Sequence, residues 1–484
     1  MKRALRIGIL GSAMTLAWAQ APDAGAVLQK ASIAMGAANL NSIQFSGTGH
    51  ISTLGQNYLP NSPWPETTIT AYTRTIDYAS KSSREELTRV QNTPPSKGGG
   101  APFAGEQKQV NLVNDRYAWN QPGPQPQPAP AAADERQLQI WLTPHGFLKA
   151  AIDSGNASMK KVKNATEVTF TALNKYKVVG TIDDRGMVTK VDTWLPNPVL
   201  GDMLVQTLYT DYKDFGNIKF PAKIVQDQGG HPLFDLSVTS VKPNPGPLAL
   251  NVPDAVRGAQ IPPVKVESVK LGDGAWWLGG GTHHSVVVEF KDFIVVVETP
   301  LTEERAEAVL NEAKKLVPGK PIKYVVNTHH HFDHSGGLRA VVAEGIPIIT
   351  NEQNKAFYEQ VWKNPHTLEP DMLSKSPKKA TFITVKDKYE ITDGNQTLDL
   401  YLTSPNDHNG DMLIGYLPKL KVLIEADLFT PAAPNAPPPP PVAMTFANQL
   451  YENLQRLKLD VATIAPLHGR VVPYGDMLKM LGKS

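Results

Sequence analysis

Two patterns of hydrophobic and polar residues divide the chain. Up to about residue 263, apolar and polar residues mostly alternate, which is typical of half-buried β-strands. Short turns rich in Asp, Asn and Gly separate the apolar runs, so neighbouring strands are expected to be antiparallel. One amphipathic helix, at residues 24–37, precedes the first strand. The clearest predicted strands are residues 43–51, 68–76, 167–173, 176–182, 204–212 and 232–241.

The alternating pattern predicts an antiparallel, β-rich N-terminal domain over residues 20–263. Its longest interruption, at residues 92–134, contains Gly98-Gly99-Gly100 and a Pro/Gln-rich stretch at residues 121–130. This composition is typical of extended, solvated segments, so it predicts an insertion rather than part of the sheet.

A short stretch of this domain is similar to a known family. Residues 212–216 (YKDFG) and 219–221 (KFP) resemble segments of periplasmic lipoprotein-carrier proteins. The resemblance implies an open antiparallel half-barrel with a helix.

From about residue 264 the pattern changes to an alternation of strands and helices. Apolar strands are predicted at residues 285–290, 293–298 and 322–327. Between the last two, residues 302–317 predict a helix, because Thr302 can cap it and its apolar residues recur every three or four positions. This alternation predicts a second, α/β domain over residues 264–484.

Candidate metal ligands are concentrated directly after the strand at residues 322–327. The loop there, residues 328–337, reads THHHFDHSGG, and α/β sheets usually place their sites at the carboxyl ends of strands. In an extended loop His329 and His331 project to the same side and can hold one cation. After the chain turns, Asp333 and His334 can face a second cation. An incidental surface cluster is the alternative, but this loop follows a buried strand and has partners downstream.

Three further residues could complete both coordination shells, and each follows a predicted strand. They are His408, Asp427 and His468. Asp427 by itself could instead cap a helix. Of the 12 histidines, nine lie after residue 280, which supports one cluster in the second domain. His330 is expected to point away, as a supporting or surface residue, and surface positions are expected for His50, His145, His231 and His366.

The order His-x-His-x-Asp-His, then His, Asp and His, resembles the signature of the metallo-β-lactamase superfamily. The resemblance covers about residues 270–484 and implies an αββα sandwich. Three features depart from the family pattern, since Glu298 stands where Asp is common, Ala426 where Gly is common, and Asn409-Gly410 follows His408 where Ser or Thr is usual. The implied ligands of the first metal are His329, His331 and His408, those of the second are Asp333, His334 and His468, and Asp427 bridges both.

The resemblance implies a dinuclear, metal-dependent hydrolase. Ligation by His and Asp suits zinc, with iron or manganese as alternatives. A metal-bound hydroxide would attack the carbonyl of a small lactam, lactone, ester or amide, and Asp333 would orient it and pass a proton to the leaving group. The alternative is a binding module, in which the N-terminal domain captures a lipid-like ligand and the metals cause no turnover.

The N-terminus indicates an exported protein. Lys2, Arg3 and Arg6 precede an apolar run at residues 7–16 and a small-residue site at Ala17-Trp18-Ala19, which predicts a signal peptide over residues 1–19 and a periplasmic or secreted location. Removing these three basic residues changes the net charge from +2 to −1.

Charge and cysteine content exclude several classes of function. A near-neutral chain lacks the basic patch that nucleic-acid partners need, and no later stretch is apolar and long enough to span a bilayer. The expected partner is therefore a small-molecule substrate. The chain has no cysteine, which excludes a thiol nucleophile and a thiolate metal ligand.

A proline-rich segment follows the last predicted aspartate ligand. Residues 431–441 contain five consecutive prolines, at 437–441, which favour a stiff, extended backbone. We expect the segment either to act as a flap beside the metal site, with Val442, Met444 and Phe446 as an apolar wall, or to be a passive surface linker.

Overall fold

The computed structural model describes residues 23–433, 436–437 and 439–483. The predicted signal peptide, and Pro434 and Pro438 of the proline-rich segment, lie outside the described residues. Of the helices in the described ranges, none is long and apolar enough to cross a membrane.

One antiparallel sheet of thirteen strands dominates the first half of the described chain. Its strands are β1 Ser42–Ser52, β2 Glu66–Asp77, β3 Ser82–Gln91, β4 Gln107–Asn114, β5 Tyr117–Asn120, β6 Gln127–Pro128, β7 Ser158–Val162, β8 Ala165–Ala172, β9 Tyr176–Asp183, β10 Val188–Asn197, β11 Gly201–Phe215, β12 Ile218–Gln228 and β13 His231–Pro243. Neighbours in sequence are neighbours in the sheet, except that β1 and β13 pair in the middle and β6 and β7 form the two edges.

Helices cover one face of this sheet and share a single apolar core with it. They are α1 Ala24–Met35, α2 Ala133–Leu142 and α3 Pro144–Asp153, with a 3-10 turn at Pro130–Ala132. The short α4 Asp254–Arg257 lies outside this core, and its Val256 is buried in a smaller apolar cluster. The prediction of an antiparallel, β-rich N-terminal region is confirmed. Alternation locates the strands well because inward and outward side chains alternate along β8, where Thr166, Val168, Phe170 and Ala172 are buried.

The prediction of a solvated insertion at residues 92–134 is wrong for residues 107–120, whereas the Pro/Gln-rich residues 121–130 are exposed or partly exposed. Strands β4 and β5 lie within residues 107–120, and Val110, Leu112 and Trp119 are buried in a small apolar cluster. The Pro and Gly content of the flanking turns obscured the alternation of residues 107–113. Gly98 and Gly99 are also not solvated, because they contact the second half of the chain.

Two sheets stacked face to face form the second half. The first contains β14 Glu267–Gly272, β15 Ala275–Gly279, β16 Ser285–Glu289, β17 Ile294–Val297, β18 Ile322–Val326, β19 Ile348–Asn351 and β20 Phe382–Val385. The second contains β21 Lys388–Thr392, β22 Thr397–Leu402, β23 Leu413–Leu417, β24 Val422–Glu425, β25 Thr463–Pro466 and β26 Val472–Pro473. One apolar core joins the facing sides of both sheets.

Helices cover the outer faces of the two sheets and complete the αββα sandwich predicted for this half. The helices that follow strands of the first sheet are α5 Glu303–Leu316, α6 Phe332–Ser335, α7 Leu338–Glu344, α8 Glu352–Val361 and α9 Met372–Lys375. Those of the second sheet are α10 Thr445–Leu457 and α11 Tyr474–Met480, with a 3-10 turn at Pro441–Met444. Helix α5 begins as predicted, because the Thr302 side chain accepts a hydrogen bond from the Arg305 amide.

Candidate metal centre

The loops that follow five strands of the sandwich meet at one edge. They follow β17 and β18 in the first sheet and β22, β24 and β25 in the second. Short runs of buried Val, Ile and Leu make these strands, and the polar residues begin where each run ends. All seven sequence-predicted ligands lie in these loops or in α6, and the fold brings all seven together.

The first group consists of His329, His331 and His408, and each side chain is fully buried. One nitrogen from each lies within 4.8 Å of the others. Nε2 of His408 is 3.3 Å from Nε2 of His329. Nδ1 of His331 is buried and has no hydrogen-bond partner among the described residues. A buried, unpaired imidazole nitrogen facing two others fits a cation ligand.

The second group contains Asp333, His334 and His468. Nε2 of His334 lies 3.0 Å from Nε2 of His468, and 3.9 Å from Oδ2 of Asp333. This group is the more open one, since the side chain of Asp333 is 29% exposed and that of His468 is 17% exposed. Solvent therefore reaches the cluster from the side of the second group.

Asp427 lies between the two groups, as its predicted bridging role requires. Its Oδ2 is 2.9 Å from Nε2 of His334 and 3.5 Å from Nε2 of both His329 and His408. Its Oδ1 is 3.0 Å from Nε2 of His468. Both carboxylate oxygens thus point into the cluster rather than to a helix terminus.

Sequence reasoning missed His283, which the fold places in the second group. Its Nε2 lies 3.0 Å from Oδ2 of Asp333, and its backbone forms an isolated bridge with His468. The residue precedes β16 in a Gly-rich bend and has no ligand-like spacing to the other histidines. Only the pairing across the two sheets brings it to the site.

Residues behind the ligands orient them. Nδ1 of His334 donates to Glu298 at 3.1 Å, and Nδ1 of His329 donates to the Thr328 hydroxyl at 3.0 Å. Thr328 in turn donates to Glu298, which also accepts from Asn327. Glu298, one of the departures from the family pattern, is therefore a buried acceptor for four donors. Such partners fix the tautomer that leaves Nε2 free for a cation.

His330 is not a surface residue, so the surface alternative predicted for it is wrong. Its ring is fully buried and Nδ1 lies 2.8 Å from Oδ2 of Asp411, so it supports the ligand loop from behind. His145 and His366 are also buried, against expectation. His145 lies on α3 under the N-terminal sheet, because an amphipathic helix turns one side inward whatever its polar residues are.

The charges of the cluster suit cation binding. Burial, with the neighbouring histidines, lowers the pKa of His329 and His331 well below the usual value, so both rings are neutral donors of a lone pair. Burial alone would raise the pKa of Asp427, but the surrounding histidines lower it well below its usual value. The site therefore presents neutral imidazoles at His329 and His331 beside an ionised carboxylate, whereas the carboxylates of Asp427 and Asp333 overcome the effect of burial and raise the pKa of His334 well above its usual value.

The fold and the ligand set define a metal-binding sandwich, and comparison identifies its family. Residues 278–468 match the model of the metallo-beta-lactamase superfamily. The C-terminal sandwich belongs to that superfamily.

Relatives with this domain carry different names. A linear primary-alkylsulfatase of Pseudomonas sp is 43% identical over 58 residues, which is 12% of this chain and 9% of the relative. A metallo-beta-lactamase type 2 of Pseudomonas aeruginosa is 26% identical over 34% of this chain and 63% of the relative. An alkyl/aryl-sulfatase of Saccharomyces cerevisiae is 29% identical over 16% of this chain and 12% of the relative. The likeness to the sulfatases is thus confined to short stretches of both chains.

Solved structures of metallo-beta-lactamases align with about half of this chain. One from Pontibacter korlensis is 22% identical, covers 46% of this chain and 100% of its own, and has a TM-score of 0.34. Another from Pseudomonas aeruginosa, in a mono-zinc form, is 18% identical, covers 45% of this chain and 94% of its own, and has a TM-score of 0.35.

Proposed function

We propose that this protein is a dinuclear metal-dependent hydrolase. The observation that carries the proposal is the position of Asp427, whose Oδ2 lies within 3.5 Å of ligand nitrogens from both groups. One cation would be held by the first group and one by the second. Seven protein ligands are more than a single tetrahedral site can use.

Two divalent cations in these groups would supply Lewis acidity and would lower the pKa of a coordinated water. The chain itself contributes the orientation of Asp333. Oδ1 accepts a hydrogen bond from Nε2 of Gln56 at 2.7 Å, and Oδ2 lies 3.0 Å from Nε2 of His283. Held in this way, Asp333 can orient the attacking water and pass its proton to the leaving group.

Zinc is the cation that we propose, because imidazole and carboxylate ligands in small, buried groups suit it. Iron and manganese are the alternatives. Elemental analysis of the protein after gentle purification is expected to find close to two cations per chain. Trace amounts only would contradict the proposal.

The substrate that we propose is a small molecule with a hydrolysable carbonyl, such as a lactam, lactone, ester or amide. A sulfate ester is a second candidate, favoured by the two relatives that are named as sulfatases. The open side at Asp333 and His468 gives either kind of substrate access to the site.

A substrate panel tests the reaction. It contains a chromogenic cephalosporin, a lactone, nitrophenyl acetate, an anilide and nitrophenyl sulfate, assayed with the full chain. We expect turnover of at least one compound, its loss in Asp427→Ala and its retention in Asp273→Asn. Asp273 is the matched control, since its side chain is 92% exposed. Equal activity in all three proteins would contradict the assignment.

Capture of a lipid-like ligand is the second candidate function, and a cavity in the N-terminal region favours it. The cavity has a volume of about 380 Å³, and Phe45, Leu87, Phe220 and Phe234 contribute apolar walls to it. A fluorescent fatty-acid analogue is expected to bind the unmodified chain and not Phe234→Glu. The control Ile33→Glu, at a position 76% exposed, keeps binding. Absence of binding to the unmodified chain would remove this candidate.

Export to the periplasm or the medium completes the proposal. It rests on the basic and apolar pattern of residues 1–19. Mass analysis of the protein after expression with its natural N-terminus is expected to show a chain that begins at Gln20. A chain that retains residues 1–19 would contradict export by cleavage.

A further inference from the structure

Two loops of the N-terminal sheet lie against the ligand-bearing loops of the sandwich. The first, residues 53–65, joins β1 to β2, and the second, residues 92–106, joins β3 to β4. The two are tied together by a hydrogen bond from the Gly99 amide to the Gln56 carbonyl, at 2.9 Å. We call them the clamp loops.

Backbone hydrogen bonds join the clamp loops to two loops of the sandwich, the one that carries His331 and the one that carries His408. The Phe332 amide donates to the Gly55 carbonyl at 3.3 Å, and the Gly410 amide donates to the Tyr58 carbonyl at 2.9 Å. In the other direction, the Gly98 amide donates to the Asp407 carbonyl at 2.9 Å. Because Phe332 and Gly410 lie within two residues of ligands, these bonds fix the clamp loops at the metal site itself.

Two ligands of the first group are oriented by clamp-loop carbonyls. Nε2 of His331 lies 2.9 Å from the carbonyl of Asn57, and Nδ1 of His408 lies 2.6 Å from the carbonyl of Gly99. A carbonyl can only accept, so each of these nitrogens carries the proton. The nitrogen left unprotonated is Nδ1 in His331 and Nε2 in His408, and in both rings it is the one available to a cation.

The other two histidines with defined partners depend on the sandwich alone. His329 bonds to Thr328, and His334 bonds to Glu298. Within the second group only Asp333 has a clamp-loop partner, the Gln56 side chain. The sandwich therefore orients His329 and His334. The clamp loops of the N-terminal sheet orient His331, His408 and one oxygen of Asp333.

We propose that the clamp loops are part of the metal site, and that the N-terminal sheet sets the cation affinity of the first group by fixing the tautomers of His331 and His408. This proposal rests on cation binding at the site as proposed above, and it adds a role for the first half of the chain. The partner of a ligating histidine raises its basicity and holds its ring in position, and the loss of such a partner costs about 10–100-fold in metal affinity.

Gly98 offers a way to displace the clamp loops without touching a ligand. Its φ is +93°, and a Cβ there would lie 2.4 Å from the Gln56 carbonyl oxygen. Gly98→Ala is therefore expected to push the two loops apart. Gly105→Ala is the matched control, because Gly105 lies in the same loop with a φ of +69° but has no atom within 4 Å of the added Cβ.

Zn²⁺ affinity of the full chain is the first measurement, made by competition with a chelator. We expect the first group to bind Zn²⁺ about 10–100-fold more weakly in Gly98→Ala and with unchanged affinity in Gly105→Ala. Unchanged affinity in Gly98→Ala, or equal loss in both variants, would overturn the role of the clamp loops. Failure of the unmodified chain to bind Zn²⁺ would instead overturn the proposed function.

Histidine tautomers of the unmodified, metal-free chain are the second measurement, and they do not depend on how a variant folds. Nitrogen chemical shifts of ¹⁵N-labelled histidine report which ring nitrogen carries the proton. We expect His331 to be protonated at Nε2 and His408 at Nδ1. Either the opposite tautomer or a mixture of the two in these rings would overturn the proposal.

Discussion

Two buried histidines, one in each half of the molecule, share most local features. His145 lies under the N-terminal sheet and His331 lies in the sandwich, and both rings are fully buried. Nε2 of each lies near a backbone carbonyl, at 3.1 Å from Met35 and at 2.9 Å from Asn57. Nδ1 of each has no hydrogen-bond partner among the described residues. Burial lowers the pKa of both rings, so both are neutral at pH 7.

Their surroundings differ. The ring of His145 stacks on Phe220, with 5.8 Å between centroids, inside an apolar core. The ring of His331 lies 4.5 Å from that of His329 and 4.6 Å from that of His408. Burial and an unpaired nitrogen therefore do not identify a metal ligand. The convergence of several such nitrogens with a carboxylate does.

The largest expected effect comes from removing a carboxylate within the convergent cluster. Asp333→Asn keeps the shape of the side chain but removes the charge and the proton acceptor, so kcat/KM is expected to fall by about 10²–10⁴-fold. His330→Ala serves as the comparison. It removes the buried partner of Asp411, which costs on the order of 3 kcal/mol of stability but leaves every predicted ligand in place.

Turnover of these two variants is compared at matched metal content and on folded protein. If His330→Ala lowers kcat/KM as much as Asp333→Asn does, the assignment of Asp333 as a reacting group and of His330 as a supporting group is wrong.

Metal content provides the next test, because the two buried histidines should behave differently. His331→Ala removes one of three ligands of the first group, and we expect about one cation per chain instead of two. His145→Gln should retain both cations. Elemental analysis after dialysis against a weak chelator measures this directly, and loss of a cation in His145→Gln would break the comparison between the two histidines.

The strands and the ligands were predictable from sequence for a common reason: both are encoded by residue type at fixed spacing. Alternation located β1 and β8 because one face of the sheet is buried. The loop at residues 328–337 indicated the site because several imidazole and carboxylate side chains lie close together in its sequence.

What sequence could not show depends on contacts between distant segments. The carbonyls of Asn57 and Gly99 reach His331 and His408 across 274 and 309 residues, and every residue type has a carbonyl. His283 joins the site only through its bridge to His468. Such contacts leave no local pattern in the chain.

A smaller effect is expected from the contribution of His145 to the pH dependence of stability. Burial lowers the pKa of His145 from its usual value near 6.5 to about 4. As the pH falls below 6.5, His145 becomes protonated in the unfolded chain but stays neutral in the folded chain until the pH approaches 4. The contribution of His145 to the free energy of unfolding is therefore fully present above pH 6.5 and is lost as the pH falls towards 4. Between pH 7 and pH 5 this amounts to about 2 kcal/mol.

The measurement is the free energy of unfolding in urea, for the metal-free unmodified chain and for His145→Gln at both pH values. We expect the unmodified chain to lose more stability than the variant, since every other group titrates alike in the two proteins. Parallel losses would show that His145 is protonated as easily in the folded chain as in the unfolded one.

The smallest expected effect concerns the proline-rich segment at residues 431–441, which we still predict to be a stiff flap. Its start lies near the loop after His468, because a Cβ on Gly469 would be 3.2 Å from Cδ of Pro431. Five residues beyond its other end, in α10, Phe446 is buried, with its ring 5.5 Å from that of His408. The segment thus starts next to one ligand, and the helix that follows it contacts another.

Replacing the five prolines at residues 437–441 with Gly and Ser of equal number would leave these anchors in place and remove only the stiffness. A flap predicts a change of about two- to tenfold in KM, since a mobile wall must be ordered each time substrate binds, at about 0.5–1.5 kcal/mol per side chain. Metal content should stay the same, because no ligand lies in the segment. A passive linker predicts unchanged kinetics on every accepted substrate. A linker can be anchored in the same way, so the kinetic comparison separates the two.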